Sequence, residues 1–285
     1  SALGEMSWKQ VVSPNGNGSG NTVQESANWS RHLIGQASVG YVHSFGKHNL
    51  DILALAEVRD WKANGLGAMS KNIPFASLPE LSQGTQVEGS VYGSSDATRS
   101  AGYVARLRYN YDEKYLAEFS GRYDGSYKFA GMSKTRWGFF PSASLGWNMA
   151  KERWLENASG LDELKLRASI GLLGNDSVSP YAFLSAYKQG GNVVLGGSAK
   201  PSYYTYVIAN QNLSWEKTLS YNAGVDLSLW NEKFGAEIDA FYNYTYDILT
   251  AQGSNFPPSM GGYYPTFVNG NAIDTGGIDI MLSHK

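Results

Sequence analysis

Paired carboxylates are the first feature of this sequence that could perform chemistry. Glu118 could face Asp226 or Glu237, and two carboxylates about 5–10 Å apart across a groove can hydrolyse a glycosidic bond. Similar charged groups recur on one face of every strand that the sequence predicts, so nothing singles out one pair. The sequence also has no G-x-S-x-G elbow, Walker loop or dinucleotide-binding fingerprint. We therefore predict that the protein is not an enzyme.

Aromatic side chains in two long predicted loops are better candidates for binding a substrate. Flat aromatic rings can stack on sugar rings, and they lose little conformational entropy when they do so. The first loop contains Tyr203, Tyr204, Tyr206 and Trp215, and the second contains Phe256, Tyr263 and Tyr264. The alternative is that these side chains pack the long loops against one another.

No residue pattern indicates a metal or a cofactor. The four histidines lack metal-binding spacing, and there is no cysteine. Asn175, Asp176 and Asp247 lie in loops but lack the spacing of an EF-hand calcium loop. A formal net charge of -2 gives no basic footprint for nucleic acid. We expect no metal, no cofactor and no nucleic-acid partner.

The elements that must position these residues are predicted to be strands. Apolar and polar residues alternate along about nine segments, which gives each strand one apolar and one polar face. The segments are 35–45, 50–58, 103–111, 115–124, 142–148, 164–171, 221–229, 236–244 and 276–283. No stretch approaches the roughly 18 apolar residues of a membrane-spanning helix.

The connections between these strands are asymmetric. Short turns are predicted at Gly46, Asp112 and Asn231. Long connections rich in Gly, Ser, Asn and aromatic residues are predicted at 61–99, 175–216 and 247–275, with a shorter loop at 128–136 on the same side. The exception on the short-turn side is 151–162, where one helical turn is expected. Short turns at one rim and long loops at the other are typical of outer-membrane barrels.

The two faces of the predicted strands differ in a way that suits a membrane. The apolar face is rich in Tyr, Ala and Gly, and its tyrosines cluster at strand ends, as in an interfacial girdle. The other face carries Arg106, Arg108, Glu118, Arg122, Lys165, Arg167, Asp226, Glu237 and Asp239. Charges of both signs at this density need water. We therefore predict an all-β, antiparallel, up-and-down transmembrane sheet whose charged face lines a wide lumen.

Several segments of the chain carry a recognisable pattern. Residues 122–129 read RYDGSYKF and residues 136–147 read RWGFFPSASLGW, followed by 164–175 and 212–226 in the same order and spacing. Together they resemble the barrel signature of the SusC/RagA-type TonB-dependent transporters, the outer-membrane glycan and peptide importers of Bacteroidetes. The resemblance extends over about 100–248.

The resemblance implies a barrel of 22 strands that is closed by an N-terminal plug. On this interpretation residues 1–285 are one partial barrel domain without plug, signal peptide or C-terminal strand. The family also implies an outer-membrane location with extracellular long loops, contact with outer-membrane lipid, a SusD-like surface lipoprotein as partner, and TonB acting through the absent N-terminal part. The expected substrate is a glycan or a peptide.

The segments that match the family motif contain four candidate lumen residues, Arg122, Asp124, Arg136 and Trp137. They could form a lumenal cluster that touches the plug or the substrate, or a structural network at the junction of strand and loop. The basic residues of the polar face could likewise bind an anionic substrate or pair with neighbouring carboxylates.

The sequence is also compatible with a different class of protein. A soluble β-sandwich, such as a carbohydrate-binding or adhesin module, would use the tyrosine-rich face as its core. That alternative predicts that a second sheet covers this face.

Overall fold

A computed structural model describes residues 2–13, 21–74, 79–130, 135–155, 158–251, 257–261 and 263–285. Phe256 therefore lies outside the described residues. No helix among the described residues is both long and apolar enough to cross a membrane. In the described ranges the helical elements are single 3-10 turns at Leu81–Gln83, Met149–Lys151 and Pro258–Met260. The second of these overlaps the start of the segment in which a helical turn is predicted.

Strands dominate the described structure. They are β1 (Ala2–Ser13), β2 (Thr22–Phe45), β3 (His48–Lys71), β4 (Thr85–Gln86), β5 (Tyr92–Tyr111), β6 (Tyr115–Ser126), β7 (Trp137–Asn148), β8 (Leu161–Asn175), β9 (Tyr187–Leu195), β10 (Ser198–Thr205), β11 (Glu216–Leu229), β12 (Phe234–Tyr246), β13 (Leu249–Ala251), β14 (Phe267–Asn269) and β15 (Ala272–His284). All segments predicted from alternation lie within strands. The sequence-based prediction missed β1.

The chain forms two compact units. Unit 1 comprises Ser1–Gln36 and Glu57–Ser100, and unit 2 comprises Ala37–Ala56 and Ala101–Lys285. In unit 1 neighbouring strands follow the order β1-β2-β3-β5, and β4 pairs with β3. In unit 2 the order is β2-β3-β5-β6-β7-β8-β11-β12-β15, and the neighbouring strands from β6 to β15 pair antiparallel. The up-and-down antiparallel sheet is thus confirmed.

The long connections contain more structure than the sequence predicts. The predicted loop 61–99 is wrong in large part, because β3 continues to Lys71 and β5 begins at Tyr92. The connection between β8 and β11 contains the β9–β10 hairpin, and the connection between β12 and β15 contains the small β13–β14 pair.

The predicted short turns are confirmed. The turn between β5 and β6 places both Asp112 and Glu113 at positive φ (55° and 54°), as a tight hairpin turn requires. The turn between β2 and β3 uses Gly46 at φ 58°. The Lys47 ammonium lies 2.6 Å from the Asp112 carboxylate. This side-chain hydrogen bond lowers the pKa of Asp112 and raises the pKa of Lys47.

The tyrosine-rich face of the sheet in unit 2 is exposed. Leu145 is 60% exposed and Ile278 is 68% exposed, although both are large apolar residues in regular strands. Within the described part of the chain, no second sheet covers this face. The geometry therefore contradicts the sandwich alternative and fits a face that lipid covers.

Candidate functional site

A charge network occupies the polar face of unit 2, where β8, β11 and β12 lie side by side. Arg167 donates from Nε to Asp226 Oδ2 at 2.8 Å and from Nη2 to Asp239 Oδ2 at 2.9 Å. Lys165 Nζ lies 3.9 Å from Asp226. Gly224 leaves room for the network, since a Cβ at this position would lie 3.0 Å from the Arg167 guanidinium. One arginine thus joins three strands through two carboxylates.

Other cations of this face are also paired. Arg108 Nε donates to Glu118 Oε2 at 2.5 Å, and Arg106 Nη2 lies 3.5 Å from Asp51 Oδ2. A groove of about 560 Å³ runs along this part of the face, lined among others by Ser44, Asn49, Arg108, Lys165 and Asn222. The polar face therefore presents paired charges of both signs, rather than a basic stripe.

The first two motif residues form one pair. Arg122 binds Asp124 through two hydrogen bonds of 3.0 and 2.9 Å, from Nε and Nη2. Both lie on the polar face of β6, two residues apart. Gly102 of β5 accommodates them, because a Cβ at this position would collide with the Asp124 carboxylate.

The other two motif residues lie elsewhere. Trp137 pairs in register with Gly125 and stacks on Tyr123, with ring centroids 4.9 Å apart, so it lies on the tyrosine-rich face. Arg136 points into the loop, where its guanidinium donates to the Phe129 carbonyl at 3.3 Å. The structure therefore brings Arg122 and Asp124 together, and it places Trp137 on the opposite face of the sheet.

The hydrophobic core of unit 2 lies at the end of the sheet that carries the long connections, which we call the looped rim. It comprises Phe129, Phe140, Val178, Leu213 and Trp215, which come from β7, from the β6–β7 connection and from the connection between β8 and β11. The Trp215 ring lies 5.4 Å from the Phe129 ring and 5.2 Å from the Phe140 ring, between centroids. Trp215 Nε1 also donates to the Arg136 carbonyl at 3.1 Å. These contacts hold the bases of the rim loops together.

Polar residues that the sequence analysis did not assign reinforce the rim. Asp176 accepts from the buried Ser126 hydroxyl at 2.7 Å, and Lys128 Nζ lies 3.4 Å from the same carboxylate. Glu216 accepts from Asn175 Nδ2 at 3.0 Å and from the Leu249 backbone amide at 3.1 Å. These partners are 33 to 50 residues apart in the chain, so no local pattern signals them.

The predicted loop aromatics fall into two groups. Trp215 is only 9% exposed and belongs to the rim core. The five tyrosines lie in the long connections, and Tyr203 is the most exposed of them, at 66%. Tyr203 and Tyr204 lie on β10, and Tyr206 follows this strand directly.

The tyrosine-bearing loops meet each other. The Ile208 amide donates to the Tyr264 carbonyl at 3.3 Å, which brings the segment after Tyr206 to the segment that contains Tyr263 and Tyr264. Asn210 Nδ2 donates to the Phe267 carbonyl at 2.9 Å. The exposed tyrosines of the two long connections therefore lie at the same end of the sheet.

A polar groove of about 530 Å³ lies where β8, β11, β12 and β15 enter these loops. Its lining is mostly hydroxyl and amide groups, with one carboxylate. The residues include Asn175, Glu216, Thr218, Ser220, Asn243 and Thr275. No group of His, Asp and Glu in the described ranges could hold a metal ion. The rim thus combines exposed aromatic rings with uncharged hydrogen-bonding groups.

The fold and these surfaces define the class of protein. An up-and-down sheet with an exposed apolar face, a charged opposite face and long loops at one rim is the wall of an outer-membrane barrel. The family model "TonB dependent receptor-like, beta-barrel" matches residues 6–284. The chain belongs to this family, which places it in the outer membrane.

Curated relatives refine the family. The chain is 30% identical over 229 residues to the TonB-dependent receptor SusC of Bacteroides thetaiotaomicron, with 78% of this chain and 22% of that protein covered. It is 30% identical over 255 residues to the TonB-dependent receptor P3 of Formosa agariphila, with 86% and 24% covered. The chain therefore spans about a quarter or less of the length of these relatives, and it is of the SusC type.

Solved structures agree on the fold. The RagAB peptide importer in its open-open state matches with a TM-score of 0.80 at 22% identity, over 99% of this chain and 30% of that one. A second RagAB structure, described as a peptide transporter, matches with a TM-score of 0.78 at 23% identity, over 93% and 28%.

Proposed function

We propose that this chain forms part of an outer-membrane nutrient importer of the SusC-like, TonB-dependent class. The importer takes up a glycan or a peptide, receives it from a SusD-like surface lipoprotein, and is driven by TonB. The names of the relatives support this proposal, since one is a TonB-dependent receptor called SusC and another is a peptide importer.

The observation that carries the proposal is the rim itself. Exposed tyrosines stand at the loop ends of strands whose polar face forms the groove lined by Asn175, Glu216 and Thr218. Aromatic rings supply apolar contact area, while hydroxyl and amide groups satisfy the hydrogen bonds of a sugar or a peptide backbone. Such a surface suits an uncharged polar ligand.

We also propose that the protein performs no chemistry on its substrate. Two of the three carboxylates that could serve glycoside hydrolysis are held in ion pairs, Glu118 with Arg108 and Asp226 with Arg167. A carboxylate held by its own cation is not presented to a glycosidic bond as a proton donor or a nucleophile. These ion pairs therefore count against glycoside hydrolysis at these carboxylates.

The tyrosines are expected to contribute to ligand binding. In the full-length transporter, Tyr203→Ala and Tyr204→Ala together should weaken binding of the cognate glycan or peptide by roughly tenfold, because each stacked ring contributes about 0.5–1.5 kcal/mol. Equilibrium binding to the purified protein, with glycan and peptide panels, measures the effect. Tyr242→Ala, on the tyrosine-rich face of β12, is the matched control and should change nothing. Equal losses in both variants, or none in either, would contradict a binding role for these tyrosines.

A further inference from the structure

The outward face of unit 1 changes from apolar to charged along its strands. A Cβ at Gly35 would lie 3.2 Å from Val58 Cγ2, so these two residues share a face of β2 and β3. Because side chains alternate along a strand, Leu33 and Arg31 lie on the same face of β2, and Asp60 lies on it in β3. Val58 is an exposed apolar residue, as expected of a lipid-facing position. The next position on that face is a carboxylate.

Three cations surround this carboxylate. Arg99 Nε donates to Asp60 Oδ1 at 2.7 Å, and Arg31 Nη2 lies 3.6 Å from Asp60 Oδ2. Lys62 lies two residues beyond Asp60 on the same face, and its charge also acts on Asp60. The side chains of Arg31 and Arg99 remain 54% and 70% exposed, so this cationic cluster reaches solvent. With one carboxylate among three cations, the cluster carries an excess of positive charge.

The position of the cationic cluster along the strands is informative. Arg31 lies towards the end of β2 that is remote from its short turn. Asp60 and Lys62 lie in the second half of β3, which runs towards the long connection to β5, and Arg99 lies in the first half of β5. Long connections of outer-membrane barrels are extracellular. The cluster therefore follows the lipid-facing residues Leu33 and Val58 on the extracellular side.

We propose that Arg31, Lys62 and Arg99 bind the phosphate groups of an anionic lipid headgroup in the outer leaflet. Arginine guanidinium groups bind phosphate oxygens through paired, charge-assisted hydrogen bonds, and Asp60 orients two of them in advance. Exposed cations at the upper edge of a lipid-facing surface meet headgroups rather than bulk water. Trp29, exposed on the same face of β2, fits the interfacial level at which aromatic rings sit beside headgroups.

The neighbouring apolar residues favour a lipid over a free phosphate ion. Leu33 and Val58 adjoin the cationic cluster on the same face, so an acyl chain can pack on them while its headgroup contacts the arginines. A soluble phosphate would gain the charge interaction alone. The site therefore requires phosphate and acyl chain on one molecule.

The test uses the full-length transporter in nanodiscs of neutral phospholipid to which diphosphorylated lipid A is added. Native mass spectrometry then counts the lipid A molecules that stay bound. Replacing two surface cations should weaken the binding by about 30-fold, at roughly 1 kcal/mol for each. The variant is Arg31→Gln with Arg99→Gln. Arg59→Gln is the matched control, because Arg59 lies on the opposite face of β3, where it pairs with Glu57 at 2.7 Å.

Further arms separate charge, phosphate and acyl chain. The charge-preserving variant, Arg31→Lys with Arg99→Lys, should keep most of the binding, which shows that a loss in the glutamine variant does not come from misfolding. Dephosphorylated lipid A should bind weakly and equally to every variant. Unchanged binding of lipid A to the glutamine variant would overturn the proposal. Binding of glucosamine phosphate as tight as that of lipid A would overturn it in favour of a soluble phosphate site.

Discussion

Replacing Trp215 with alanine is expected to open the rim while leaving the strands intact. The substitution removes a nearly buried indole that contacts Phe129 and Phe140, together with its hydrogen bond to the Arg136 carbonyl. Loss of such an aromatic side chain costs about 3–5 kcal/mol. Because the cost falls on local contacts, amide hydrogen exchange at the rim should accelerate roughly 100-fold or more.

Hydrogen exchange with mass spectrometry on the full-length protein measures this effect. Rim peptides that cover 126–130 and 208–215 should exchange faster, whereas peptides from the middle of β11 and β12 should keep their protection. Trp154→Ala is the matched control, because Trp154 is 65% exposed in the short-turn connection. Equal acceleration across all peptides would mean that Trp215 supports the whole sheet. No acceleration at the rim would mean that the rim core does not hold the loops.

Replacing Arg167 with leucine is expected to give the second-largest loss. The variant would leave Asp226 and Asp239 on neighbouring strands without the cation that joins them. Removing one partner of a buried ion pair costs about 3–5 kcal/mol. These side chains are 20–32% exposed, so water recovers part of that loss. We expect a decrease of about 1–3 kcal/mol in the free energy of unfolding.

Urea-induced unfolding of the full-length protein in phospholipid vesicles, followed by tryptophan fluorescence, measures this difference. Arg108→Leu is the control, since Arg108 and Glu118 form a more exposed pair that should contribute less than about 1 kcal/mol. Adding Asp226→Asn and Asp239→Asn to the Arg167→Leu variant should restore part of the stability, because it removes the uncompensated charges. If both arginine variants lose the same stability, the three-strand network has no special role.

The sequence predicts the membrane-spanning part of the strands well, because lipid on one face and water on the other impose a period of two. The prediction fails where β3 extends to Lys71 and β5 begins at Tyr92. The outward face of β3 there carries Asp60 and Lys62 instead of apolar residues, so the hydrophobic alternation disappears while the backbone pairing continues. β1 (Ala2–Ser13) is missed although Gly4 and Met6 alternate there with Glu5, Ser7 and Lys9.

The candidate site was less predictable than the fold. Loop aromatics could be found from composition, but composition cannot separate a buried ring from an exposed one. Trp215 and Tyr203 have the same status in the sequence, yet Trp215 packs on Phe129, which lies 86 positions away, while Tyr203 faces solvent. The contacts of Asp176 and Glu216 also depend on distant partners. Tertiary packing alone decides between these environments.

The orientation of the two rims relative to the membrane underlies the roles proposed for the loops and for the cationic cluster. Its most direct test is to label single cysteines in the full-length protein, on intact cells, with a maleimide that cannot cross the outer membrane; other cysteines are first replaced. The described chain has no cysteine of its own. Tyr203→Cys, in the long-loop rim, should be labelled at once, whereas Glu113→Cys, in a short turn, should be labelled only after the outer membrane is permeabilised. Labelling of Glu113→Cys but not of Tyr203→Cys on intact cells would contradict the extracellular placement of the rim and the binding roles proposed for it.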